Sequence, residues 1–145
     1  MINSRLLAGE RILLTLWVGG LWAIGYMVAP ALFANLEDRA LAGSLAGVMF
    51  DIIAYIGLVC GTLLLLFNQL RSPGRRLNWR ALVLAGMLLL VVIGEFYVAP
   101  EIAGLRAQGL SDSPVFARLH GVASVAYLVT SLLGLILVIA ATDSD

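Results

Sequence analysis

At 145 residues, 61% hydrophobic and only 12% charged, with a mean hydropathy of +1.01, this chain carries more apolar side chain than a soluble domain of its size can hide. Its formal net charge is zero and every basic residue is Arg, with no basic-aromatic surface of the kind that grips nucleic acid. One cysteine, Cys60, excludes an intrachain disulfide.

Crossing a hydrocarbon layer ~30 Å thick takes about 20 helical residues. Four apolar stretches approach or reach that length, over residues 12–29, 48–67, 81–99 and 122–141, and nothing left over is large enough for a second domain. The expected architecture is all-α, a single four-span transmembrane bundle over residues 1–145. Arg5 and Arg11 precede the first stretch, which is too long for the apolar core of a secretory signal. It ends in Val28-Ala29-Pro30, where the proline is expected to stop the helix at the boundary. In the connection that follows, Leu32, Phe33, Leu36, Leu41 and Leu45 recur at helical spacing beside Glu37, Asp38 and Arg39, the pattern of an amphipathic segment lying in the interface.

Asp51 opens the second stretch and Tyr55 follows four residues later on the same helical face. Gly57 and Gly61 form a GxxxG pair suited to close helix packing, within the bundle or between copies or partners. The link to the third stretch concentrates Arg71, Arg75, Arg76 and Arg80, with Trp79 as an interfacial anchor. The third stretch carries Glu95 and Tyr97 and ends in Val98-Ala99-Pro100, after which Gly109, Ser111, Asp112 and Pro114 mark a turn. His120, Ser124 and Tyr127 then share one face at the start of the fourth, with Ala126, Thr130 and Gly134 as a ladder of small residues.

Six arginines flank one side of these spans, against Arg39, Arg106 and Arg118 on the other, which puts both termini in the cytoplasm under the positive-inside rule. The shared Val-Ala-Pro ends, with Ala54-Tyr55 and Ala126-Tyr127 in the spans that follow, read as two copies of one hairpin related by an axis along the membrane normal.

An unpaired carboxylate facing lipid costs roughly 2.5–3.5 kcal/mol. Glu95 must therefore face the bundle, hold a proton, or have a partner: a structural anchor to an arginine such as Arg118, or a proton or cation site. Asp51, Glu95 and His120 fall toward the same side, and a compact bundle would gather them in one outward pocket bordered by Tyr26, Tyr55, Tyr97 and Tyr127, with Ser124 beside His120. The same three can be read as metal ligands, since imidazole and carboxylate suit zinc or manganese, although no HxxxH or ExxH pair supports it. A lone His excludes bis-His haem ligation within one chain. Phosphate-cradling loops, GxSxG and CxxC are absent, so no cofactor and no catalytic residue is implied.

The stretch from Phe116 to Ser124, together with Trp17-Val18-Gly19-Gly20-Leu21-Trp22 and Pro100, resembles the transmembrane protein 205-like family, whose bacterial members form the domain of unknown function 4149. That resemblance implies a four-span integral membrane protein. A more distant likeness, to copper-resistance protein D and membrane protoporphyrinogen oxidase, would imply a haem or tetrapyrrole enzyme, but the early-span His those proteins use is missing. The expected role is a small bacterial inner-membrane protein with an outward-facing site for a small ligand or cation, accessory or transport-related. The alternatives are a tetrapyrrole or quinone oxidoreductase and a structural partner, or homo-oligomer, within a membrane complex.

Overall fold

The structure, a computed structural model, describes residues 2–71 and 78–142, so Arg75 and Arg76 of the basic link lie outside the described residues. Four helical rods are each long and apolar enough to cross a membrane, which supports a multi-pass membrane protein. The first rod joins α1 (Ile2–Ala23), a π-helical turn (Ile24–Val28) and α2 (Ala29–Asn35); the second is α3 (Arg39–Arg71). The third repeats the pattern of the first, with α4 (Trp79–Ile93), a π turn (Gly94–Val98) and α5 (Ala99–Ala107), and the fourth is α6 (Pro114–Thr142).

These rods outrun the apolar stretches because hydropathy marks where lipid would begin, whereas helices end where their backbone is capped. Asp38 caps α3, its Oδ1 accepting from the Ala40 and Leu41 amides at 2.8 and 3.1 Å. Asn78 and Ser113 do the same for α4 and α6, accepting from Ala81 and Phe116. The expected interfacial segment between the first two spans is therefore rod rather than loop, interrupted only at residues 36–38. After α5, the Leu110 amide reaches back to Leu105 O while Gly109, at φ +71°, closes the cap, a left-handed position a glycine takes without strain.

Pro30 and Pro100 do not stop their helices, contrary to expectation. Proline lacks an N–H and crowds the carbonyl four residues back, so a helix that continues must widen at that turn. It does so by one residue in each case: the Ala29 amide bonds to Ile24 O and the Ala99 amide to Gly94 O, both i→i−5.

Each rod packs against two neighbours in a ring, α1 on α3 and α6, and α4 on α3 and α6. Trp17 is fully buried at the centre, its indole set against the backbone of Gly57 and Gly61. A side chain on Gly61 would come within 2.6 Å of Leu88 and 2.9 Å of Trp17, so the GxxxG face is used up inside the bundle and is not free to bind a partner. Gly134 admits Val18 in the same way, while Gly19 faces open space and takes no part. The surrounding core is Leu14, Leu21, Ile53, Leu84, Met87 and Leu137, and the outer faces of all four rods expose large aliphatic residues, as lipid contact requires.

Candidate functional site

Each of the two π turns meets a tyrosine from the helix beside it. At the first, the Tyr127 hydroxyl of α6 donates to Leu21 O at 2.6 Å and lies within hydrogen-bonding reach of the Gly25 backbone. It thus sits between a carbonyl and the amide four residues on, where the helix's own bond would run. Gly25 makes this possible, since a Cβ there would meet the Tyr127 ring, with its Cζ only 3.0 Å away. Around it, the Tyr26 hydroxyl and the fully buried Ser131 share a 2.8 Å hydrogen bond, and Trp22 Nε1 donates to Ser131 O at 3.4 Å. Ser131 Oγ donates to Leu128 O, leaving its oxygen to accept from Tyr26. Phe50 closes the bundle side of Tyr127, ring to ring at 5.0 Å and nearly perpendicular.

At the second π turn, Glu95 stands where Gly25 stands in the first, counting back five residues from each proline. Glu95 is in phase with Leu84, Leu88 and Val91, which points it at α3. There it comes near Tyr55 and near Asp51, a second acid close enough to be felt electrostatically. Tyr55 and Phe96 pack edge to face at 6.5 Å, matching Tyr127 and Tyr26 at 6.3 Å across the bundle. Among the described residues neither Asp51 nor Glu95 has a cationic partner; the ion pairs there join Glu10 to Arg71 and to Arg80. The anchor to Arg118 is not formed.

The expected single pocket is therefore divided. Asp51, Tyr55 and Glu95 meet between α3 and the third rod, while Tyr26 and Tyr127 belong to the hydrogen-bonded cluster between the first rod and α6. His120 is exposed and stacked flat on Phe116, with ring centroids 6.0 Å apart, and Ser124 donates to the His120 carbonyl rather than to its ring. Tyr97 is 70% exposed, two residues beyond Glu95 and on the other side of its helix. Among the described residues no three His, Cys, Asp or Glu side chains gather in a metal-holding group, so Asp51, Glu95 and His120 do not form the metal set that their residue types allowed.

Sequence reasoning missed a polar cluster at the terminal end. Glu10 bonds Arg71 and lies 3.1 Å from Arg80, all three partly buried, and Asn78 donates to Asn68 beside them. The buried Asn68 Nδ2 and Arg80 Nη2 atoms have no protein partner, and a cavity of about 10 Å³ bounded by Glu10, Asn68 and Arg80 gives room for about one water. The signal was present: Glu10 is the only acid ahead of the first span, across from the basic link.

A family model described as domain of unknown function (DUF4149) matches residues 12–111. The match takes in Trp17–Trp22, Asp51, Glu95, Pro30 and Pro100, and ends before the Phe116–Ser124 stretch that carries the resemblance to transmembrane protein 205-like proteins. Neither curated proteins nor solved structures yielded a match. With more than half of its length under that model, the chain belongs to the DUF4149 family.

Proposed function

We propose that this protein binds a cation, a proton included, between Glu95 and Asp51, in a membrane-embedded site that serves a transport or accessory role. The observation that carries this reading is the nearness of two carboxylates, from different helices and without an arginine or histidine partner among the described residues. Two like charges in apolar surroundings repel strongly, and a carboxylate at that depth is costly unless neutralised. A single positive charge between them relieves the repulsion and halves the net charge, with the Tyr55 hydroxyl nearby. Two carboxylates and a phenol are few ligands for calcium or magnesium, which favour six or more oxygens. A proton or a monovalent cation fits the site better.

The arginine distribution supports a bacterial inner-membrane setting with cytoplasmic termini, in which the Glu95 site lies in the outer half. The matching placement of the π turns, the Ala-Pro pairs and the edge-to-face aromatic pairs supports descent from a duplicated hairpin.

The test is modification of the membrane-embedded carboxyl by dicyclohexylcarbodiimide, followed by intact-protein and peptide mass spectrometry. Labelling at Glu95, abolished in Glu95→Gln and slowed by sodium, potassium or lowered proton concentration, is the expected result. A Glu95 that resists labelling across pH 5–9, in protein that binds no added cation, would remove the proposal.

A further inference from the structure

A groove opens on the outside of the bundle beside α6, where Val122, Val125 and Val129 are exposed. Between α4 and α6, an apolar groove of about 560 Å³ runs from Arg118 past Gly121, Val122 and Val125 to Val129, with Leu90 as its opposite wall. Positions 118, 122, 125 and 129 share one face of α6, and the groove follows about 16 Å of the helix. Val122 and Val125 are more than half exposed, at 54% and 61%. A side chain on Gly121 would meet nothing within 4 Å, so the groove is open just below Arg118. Arg118 is exposed and, among the described residues, makes no ion pair.

We propose that this groove holds an anionic phospholipid, with its phosphate on the Arg118 guanidinium and one acyl chain laid along Val122, Val125 and Val129 against Leu90. Charge and depth decide the occupant. Arg118 lies one turn from the start of α6, at the level where headgroups sit, and every other wall of the groove is apolar. The guanidinium fork matches a phosphate through two parallel hydrogen bonds. A helix from another copy would press apolar surface over Arg118 and bury its charge without a counter-ion. A phospholipid brings the counter-charge and the chain together. The site is separate from Glu95, which points toward α3.

Native mass spectrometry of the full chain, released from detergent after exchange with phosphatidylglycerol or phosphatidylcholine, tests the assignment. Wild-type protein is expected to retain one phosphatidylglycerol in preference to phosphatidylcholine. Arg118→Gln should weaken retention about fivefold, as expected for one arginine at a lipid surface. Gly121→Leu, placed where a Cβ meets nothing within 4 Å, should lower retention of both lipids, while Arg39→Gln, at another outer arginine, should leave it unchanged. Equal losses in Arg39→Gln and Arg118→Gln, retention unaffected by Gly121→Leu, or a polyprenyl phosphate or second copy of the chain in place of phospholipid would each overturn the proposal. Circular dichroism and size-exclusion profiles matching wild type establish that each variant is folded.

Discussion

The two π turns face the same backbone problem and are completed by opposite chemistry. Each precedes an Ala-Pro pair, widens by one residue, and receives a tyrosine from the adjacent helix. At the first, Gly25 lets Tyr127 reach the backbone, and hydrogen bonds through Leu21, Tyr26, Trp22 and Ser131 satisfy the polar groups locally. At the second, Glu95 occupies the place of that glycine and puts a carboxyl near Asp51 that no described cationic residue pairs with. A widened turn is tolerated in either setting; what differs is whether its polar groups are closed off or left able to take a ligand. The first turn is closed as structure, and the second is where the proposed cation site lies.

Substitutions at the first turn should be felt as stability. Gly25→Leu would drive a side chain into the Tyr127 ring and is expected to cost about 3 kcal/mol, measured by unfolding in detergent against wild type. Tyr127→Phe keeps the ring but removes the hydroxyl held by Leu21 O; a loss of about 1.5 kcal/mol is expected, and a neutral variant would show that the hydroxyl adds nothing to the turn. Ser131→Ala removes the partner of Tyr26 and should cost about 0.6 kcal/mol by the same assay. Glu95→Gln should change stability by less than about 0.5 kcal/mol, because the amide keeps a hydrogen-bonding group for Tyr55 and ends the repulsion from Asp51. A Glu95→Gln protein that fails to accumulate would erase the contrast, placing the second turn with the first as architecture.

Much of the bundle was legible because lipid imposes a length and an apolarity that few other settings demand. That Glu95 needs the bundle, a proton or a partner was legible from its place in an apolar span, and its phase with Leu84, Leu88 and Val91 supplies the direction. Its meeting with Asp51 and Tyr55 followed once α3 proved to be its neighbour. His120 was misread for a different reason. It shares a helical face with Tyr127, seven residues on, but phase fixes only a direction, and two turns from the start of α6 no neighbour covers it. The insertion of Tyr127 beside Gly25 could not be read from local pattern, because it depends on two helices 102 positions apart in the chain meeting at one widened turn. The prolines misled because the penalty they carry in a regular α-helix vanishes once the preceding turn holds an extra residue.

Trp17 gives the bundle an optical reporter of its own assembly. Of the three tryptophans, Trp22 and Trp79 are 37% and 50% exposed, while Trp17 is wholly enclosed against the bare backbone of Gly57 and Gly61. Emission from Trp17 should stay out of reach of quenchers in both water and lipid for as long as the first two rods remain seated, and become quenchable when they part.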